Sequence, residues 1–361
     1  MADLTSEEVQ KATGARLLSS IGSVLFHDVC TDTRAVEKGS LFVAFKGTSF
    51  DGHDFVLKAL SSGAAGAVVS ELRPEYKVAA VPIFVVSDTL KAYQDLARFH
   101  RRRFSIPVIA VTGSVGKTST RNMIAAVLSE KYKVLQTEKN YNNEIGLPKT
   151  LLQLTADHKA CVVEMGMRGL GQIAELVDIG EPTIGVVTNV GKSHIELLGS
   201  QENIAKAKAE LVQGLDAKGT AILNGDDPFV APMKDLCQGR SVLYGTDDSA
   251  QIRAESIVCD EKGVRFTCYC FDRTFDVSVP VIGRHNVYNA LAAIAAGYLT
   301  GLSDAELQAG LSAYRGMAMR QELLHLGPYT FINDTYNANP ASMAEAGPKE
   351  NTGPSAAWLP I

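Results

Sequence analysis

The chain has little tryptophan (Trp358 alone), no surplus of positive charge, and no apolar run long enough to cross a bilayer. Each shortage narrows what the protein can be. Lys and Arg number 35 against 40 Asp and Glu, for a formal charge of −5, so nothing points to a nucleic-acid partner. A transmembrane helix needs about 20 consecutive apolar residues, and no such stretch occurs. The opening MADLTSEEVQ lacks the apolar core of a signal peptide, and the expected compartment is therefore the cytoplasm. The six cysteines (Cys30, Cys161, Cys237, Cys259, Cys268, Cys270) make no C-x-x-C pair and read as reduced thiols rather than a zinc site. The short basic run HRRRF (His100–Phe104) reads as a solvated helix end.

What is present is ordinary globular material. Hydrophobic residues make up 46% and charged residues 21% of 361 positions, enough for two or three domains. Residues 1–104 mix short strands and helices. LFVAFKGTSFDGHDF (Leu41–Phe55) is a strand followed by a Gly- and Asp-rich loop, and TLKAYQDLARFHRRRF is a helix closing that region. From residue 105 the texture changes. PVIAVT is continuously apolar, as a strand buried on both faces must be. A helix follows over Lys117–Glu130, then the strands KVLQT, CVVEM, TIGVVT and TAILN with helices between them. That alternation predicts an α/β fold with a doubly wound, mostly parallel sheet over 105–315. Gly263–Val279 reads as a hairpin, and His285–Leu299 as an Ala-rich helix.

Chemistry concentrates at the ends of these strands. VIAVTGSVGKTST (Val108–Thr120) sets a Gly-rich turn between a buried strand and a helix. Backbone N–H groups and the helix dipole there can cradle phosphate oxygens, Lys117 can reach the outer phosphates, and the Thr118 hydroxyl can meet Mg²⁺. The longer Walker pattern would place Gly at position 111, where this chain has Val111; the alternative reading is a tight βα turn with an incidental lysine. Glu164 ends the CVVEM run, and ligands of open α/β sheets bind beyond the carboxyl ends of strands. It either holds Mg²⁺ or caps a loop. His194 follows TIGVVT and is either structural or a ligand.

Lys208 poses a sharper question. In IAKAKAEL (Ile204–Leu211) the helical period puts Ile204, Ala207, Leu211, Val212 and Leu215 on one side. Lys206 points away from that side, whereas Lys208 falls within it. A buried ammonium is costly unless paired or neutralised. Either Lys208 snorkels outward past Leu211, or its neutral amine reacts with CO₂ to give an anionic carbamate suited to a metal ion.

Ten ordered motifs, from TDTR (Thr31–Arg34) through NYNNEIGLP (Asn140–Pro148), VVEMG, SHIE, NGDDP and GRHNVYNALAA to INDTYNANPASM (Ile332–Met343), resemble the Mur ligases of bacterial peptidoglycan synthesis. The pattern is most similar to the MurF type. The resemblance implies a small α/β UDP-substrate domain (1–104), a central P-loop ATPase domain (105–315) and the start of a Rossmann-like third domain (316–345), with 346–361 outside the family pattern. It implies an ATP-dependent, ADP-forming amide ligase that joins D-Ala-D-Ala to UDP-MurNAc-tripeptide through an acyl phosphate, as a monomer. ATP would lie on Gly113, Ser114, Val115, Gly116, Lys117, Thr118 and Ser119, with Asn286 and Asn289 at the adenine, Asp226 and Asp227 nearby, and Arg320 and Asp334 at phosphate and ribose. Two Mg²⁺ would use Thr118, Glu164, His194 and carbamylated Lys208; Lys117, Lys208 and His194 would be catalytic. The UDP-sugar peptide would meet Thr31, Asp32, Thr33, Arg34, Lys46, Gly47, Asp51, Asn140, Asn142, Asn143 and Glu144. Members of the family continue into a full third domain, so the reading expects this chain to be impaired in turnover. The alternatives are a non-catalytic UDP-peptide-binding fragment and a related Mur or folylpolyglutamate-type ligase.

Overall fold

The structure is a computed structural model that describes residues 3–18, 22–48, 50–78, 80–326 and 329–336. The sequence beyond residue 336, including the expected tail 346–361, lies outside the described residues.

Contacts divide the chain into two compact units. The first takes residues 1–108 together with 133–166 and 172–182, so segments expected in the central domain cluster with the N-terminal one. Its five-stranded sheet runs in the order Arg16–Leu17, Ile83–Val85, Gly66–Val69, Ser40–Val43, Asp28–Cys30, parallel except at the first pair. Phe42, Val56, Ala67, Val69, Tyr76 and Ile83 form its core. The helix Thr89–Arg101 starts on the Asp88 carboxylate, which accepts from the N–H groups of Leu90 and Lys91 at 2.8 and 3.1 Å, a side-chain N-cap. The strands Val134–Gln136 and Ala160–Glu164 pair in parallel within the same unit.

The HRRRF expectation needs correction at two positions. His100 and Arg101 are buried, 3% and 7% exposed. The His100 ring bonds the Leu154 carbonyl through Nε2 at 2.9 Å. The Arg101 guanidinium donates to the carbonyls of Phe104, Gly180 and Glu181 at 2.7, 3.2 and 3.2 Å. A planar fork of donors suits such a cluster of carbonyls; only Arg102 and Arg103 are exposed.

The second unit holds residues 109–132, 167–171 and 183 onward. Its strands follow the order Arg273–Val279, Gly263–Cys270, Ile252–Asp260, Arg240–Gly245, Thr220–Asn224, Ile184–Val187, Val108–Thr112. From Val108–Thr112 through Ile252–Asp260 the pairing is parallel, and Gly263–Cys270 and Arg273–Val279 extend the sheet antiparallel. The fold is thus mixed α/β built on parallel strands. Helices Lys117–Ser129 and His285–Leu299 pack together, the second almost wholly buried as its Ala-rich composition allows. The hairpin Glu322–Leu326/Tyr329–Asn333 follows. No helix among the described residues is long and apolar enough to cross a membrane.

Candidate functional site

The phosphate loop forms because an apolar strand runs straight into a glycine turn. Val108 through Thr112 are completely buried, which explains the Val at position 111: the chain is still in the sheet there. Gly113 and Gly116 serve different needs. A Cβ on Gly113 would stand 1.9 Å from the Thr188 hydroxyl, so the loop can lie against that segment only without one. Gly116 adopts φ +83° at the start of helix Lys117–Ser129, a left-handed conformation that glycine takes without cost. No side chain caps this helix end. Its first N–H groups and the dipole favour an anion.

Lys117 folds over the loop. Its ammonium donates to the carbonyls of Gly113 and Ser114 at 2.8 and 3.4 Å. Thr118, also predicted to meet Mg²⁺, accepts from Arg320 Nη2 at 3.3 Å. The Arg320 guanidinium stacks 4.2 Å from the Tyr336 ring centre, and its Nε is buried with no partner among the described residues. A buried guanidinium nitrogen that still needs an acceptor suits an anionic oxygen such as a phosphate's. Asp334 is half-buried just after strand Tyr329–Asn333.

The lysine helix matches its pattern. Ser200 caps helix Gln201–Gln213 by accepting from Asn203 N–H at 3.2 Å. Ile204, Ala207, Leu211, Val212 and Leu215 are all buried, Lys206 is exposed, and Lys208 is only 3% exposed. Lys208 therefore stays on the buried side of the helix, unlike Lys206. Among the described residues no hydrogen bond or ion pair reaches the Lys208 amine. Burial drives its pKa well below the usual lysine value, and the Lys117 charge pushes the same way. His194, held at φ +66° where helix Ile195–Leu198 begins, is lowered by burial first and then by the charges of Lys117 and Lys208. Lys117, Lys208 and His194 thus share one electropositive locality, in which at least some of the groups must be neutral or meet anions.

Asn286 and Asn289, expected at the adenine, sit in a buried relay, 7% and 5% exposed. Thr120 Oγ1 donates to Asn289 Oδ1 at 2.9 Å, Asn289 Nδ2 to Asn286 Oδ1 at 2.9 Å, and Asn286 Nδ2 to the Ile282 carbonyl at 2.7 Å. The relay ties the phosphate-loop helix to helix His285–Leu299. Asp226 accepts from Tyr288 Oη and from Thr246 N and Oγ1 at 2.9, 2.8 and 2.7 Å. Asp227 accepts from Val190, Phe229 and Val230 N–H groups at 2.9, 2.9 and 3.1 Å. Both carboxylates therefore brace loops at the strand ends.

The remaining predicted residues lie in the first unit. Glu164 ends its strand 3% exposed. Asn142 Nδ2 donates to its Oε1 at 2.9 Å, and its own N–H donates to Thr137 Oγ1 at 3.1 Å. Asn143 Oδ1 accepts from Gly146 N–H at 2.9 Å, ordering the Asn140–Glu144 turn. In TDTR, the guanidinium of Arg34 grips the Asp32 carboxylate through Nη2 and Nε at 2.6 and 3.0 Å, which with the Arg34 N–H bond pulls Asp32 down to about 2. Thr31 and Thr33 flank this pair, half-buried. Lys46 pairs with Glu71 beside Gly47, whose N–H donates to the Phe50 carbonyl at 2.9 Å. Asp51 accepts from His53 Nδ1 at 2.6 Å, while His53 Nε2 accepts from Ser70 N–H at 2.9 Å; this acceptor role assigns the ring proton to Nδ1. Sequence reasoning missed His53 and also Thr188–Gly191, whose contacts join residues far apart in the chain.

Residues 111–297 match the Mur ligase middle domain, and residues 25–101 match the catalytic domain of the Mur ligase family. A UDP-N-acetylmuramoyl-tripeptide–D-alanyl-D-alanine ligase of Synechocystis is 44% identical over 89% of this chain and 68% of its own length. The Bacillus subtilis protein of the same name is 40% identical over 89% and 69%. A crystal structure of MurF from Acinetobacter baumannii superposes with a TM-score of 0.90 at 31% identity, covering 96% of this chain and 76% of that one. MurF of Thermotoga maritima in complex with ADP gives 0.79 at 28%, covering 88% and 73%. By these matches and by its phosphate loop, the chain belongs to the Mur ligase family, in its MurF branch.

Proposed function

We propose that this chain is an ATP-dependent, ADP-forming amide ligase of peptidoglycan synthesis that joins D-Ala-D-Ala to UDP-MurNAc-tripeptide, as a monomer in the cytoplasm. The observation that carries this reading is Lys208, a lysine buried without a partner among the described residues beside the phosphate-loop lysine. An amine held neutral by burial can add to CO₂: the N–C bond forms, one amine proton leaves, and the product is a carbamate anion. That exchange turns a burden on the fold into an oxygen ligand.

In the reaction, the tripeptide carboxylate attacks the γ-phosphorus of ATP; the bond to ADP breaks and an acyl phosphate forms. The amine of D-Ala-D-Ala then attacks the acyl carbon, phosphate leaves, and the amine proton is released. Little of this needs covalent help from the protein. The work is to hold anions together and stabilise phosphoryl charge. Lys117, the Gly113–Ser119 loop through its N–H groups from Gly116 onward, and Arg320 hold the phosphates, and Asp334 serves the ribose. Asn286 and Asn289 set the nucleotide side of helix His285–Leu299 near the adenine. In the second unit, Thr118, His194 and the Lys208 carbamate would hold Mg²⁺: hard oxygen donors with one neutral imidazole fit that ion. Once bound, the metal supplies charge neutralisation at the phosphoryl oxygens. Thr31–Arg34, Lys46, Gly47, Asp51 and Asn140–Glu144 receive the UDP-sugar peptide.

The test is phosphate release. Release from Mg²⁺-ATP that requires both UDP-MurNAc-tripeptide and D-Ala-D-Ala supports the ligase. Binding of the UDP-peptide by folded protein without any turnover supports a binding module instead.

A further inference from the structure

The segment just after strand Ile184–Val187 is bonded at every residue, and its partners include the phosphate loop and the helix that carries Lys208. Thr188 N–H donates to the Thr112 carbonyl at 3.0 Å, and Asn224 Nδ2 donates to the Thr188 carbonyl at 2.9 Å. Val190 N–H donates to Asp227 Oδ2 at 2.9 Å, and the Val190 carbonyl accepts from Gln201 Nε2 at 2.7 Å. Gln201 opens the helix that carries Lys208. Gly191 N–H donates to Ser114 Oγ at 2.8 Å. The segment is thus held by Asn224 at the end of its strand, by Asp227 in the following loop and by Gln201 of the lysine helix.

Its grip on the phosphate loop centres on one peptide. Asn189 Oδ1 accepts from Val115 N–H at 2.9 Å, while Asn189 Nδ2 donates to the Val115 carbonyl at 2.9 Å. Thr188 Oγ1 donates to that same carbonyl at 2.8 Å. The Asn189 carbonyl accepts from Ser114 N–H at 3.0 Å. A carboxamide donates and accepts in one plane, so it can clasp both polar groups of a single residue. The consequence for the loop is specific. The N–H groups of Ser114 and Val115 are turned to Asn189, and the cradle left for phosphate is the next stretch, from Gly116 into the helix.

We infer that Asn189 is a positioning residue for the nucleotide phosphates: it acts through Val115 to hold the loop in the shape that presents Gly116–Ser119, and it couples that loop to the lysine helix. This inference rests on the nucleotide-binding reading above and adds a role for a residue outside the predicted site. It acts at a distance from the phosphates, so its loss should weaken nucleotide without touching the UDP-peptide.

The experiment measures ADP and UDP-MurNAc-tripeptide dissociation constants by calorimetry for the parent chain, Asn189→Ala and the near-isosteric Asn189→Asp. The aspartate keeps an acceptor for Val115 N–H but sets an anionic oxygen against the Val115 carbonyl. With each net hydrogen bond worth roughly 0.5–1.5 kcal/mol, the two side-chain bonds predict about a tenfold or greater rise in the ADP constant for both variants. The UDP-peptide constant should stay close to the parent's, and the melting temperature without nucleotide should fall by only a few degrees, with native circular dichroism kept. Parent-like ADP affinity in both variants overturns the inference. So does an equal weakening of both ligands accompanied by loss of native circular dichroism in both variants, which would make Asn189 a folding residue only. A parent chain that binds no ADP would instead overturn the nucleotide reading on which the inference stands.

Discussion

The hydroxyl of Thr120 donates to the side-chain carbonyl of Asn289 at 2.9 Å, joining residues 169 apart in the chain. Both groups are buried, so neither can turn to water if the other is lost. Asn289→Ala should destabilise the fold by about 1–3 kcal/mol, the range for a buried donor left unsatisfied. Thr120→Val/Asn289→Leu should cost less than the two single changes summed. Urea unfolding of the four proteins measures this; strict additivity would mean the pair is not coupled.

Arg320 bridges to Thr118 while its buried Nε has no partner among the described residues. Arg320→Ala should weaken ATP and ADP binding by about tenfold or more, the scale of a charge-assisted hydrogen bond. Arg320→Lys should recover little, because an ammonium lacks the fork. Full recovery by lysine, seen in a nucleotide titration, would show that only charge matters there.

Lys208 predicts an unusual pH dependence. Its folded pKa lies well below 10.5, so between that value and about 10.5 the unfolded chain binds more protons than the folded one. In CO₂-free buffer, stability should therefore rise with pH across this window and level off below the folded value, where both states hold the proton. Lys208→Met should remove that slope and raise stability at neutral pH by about 1–3 kcal/mol, since a thioether needs no partner. Chemical denaturation at several pH values tests it; parallel curves for the two proteins would contradict it.

His100 predicts a second slope. Burial lowers its pKa below 6.5, so the unfolded state takes up a proton first as the medium acidifies. Stability should fall with pH from about 6.5 toward the lower folded value, and His100→Phe should flatten that limb. An unchanged acid limb in the variant would assign it to other groups.

Much of the fold was legible because its signals are local. The apolar run before Gly113, the 3.6-residue period around Lys208 and the Ala-rich stretch His285–Leu299 each declare their element within a dozen residues. What escaped depended on distant partners or broken periods. His100 and Arg101 look solvated in a basic run, yet their acceptors lie at Leu154, Gly180 and Glu181. Strand Ile252–Asp260 was missed, and its alternation is interrupted by a register shift between Glu255 and Val258 with Ser256 at φ +52°. Asn189 carries no local mark at all; its partner Val115 is 74 positions away.

Turnover should follow the modified lysine. Lys208→Ala should lose activity, with partial recovery on adding short carboxylic acids that replace the carbamate oxygen, and Lys206→Ala, altering an exposed side chain, should be nearly silent. A fully active Lys208→Ala protein would contradict this role.

The most direct measurement is ¹³C NMR of the protein equilibrated with ¹³C-bicarbonate. A protein-bound carbamate resonance should be present in the parent and in Lys206→Ala and absent from Lys208→Ala. No such resonance in the folded parent, or one that survives Lys208→Ala, would contradict the claim that this buried amine becomes an anionic ligand.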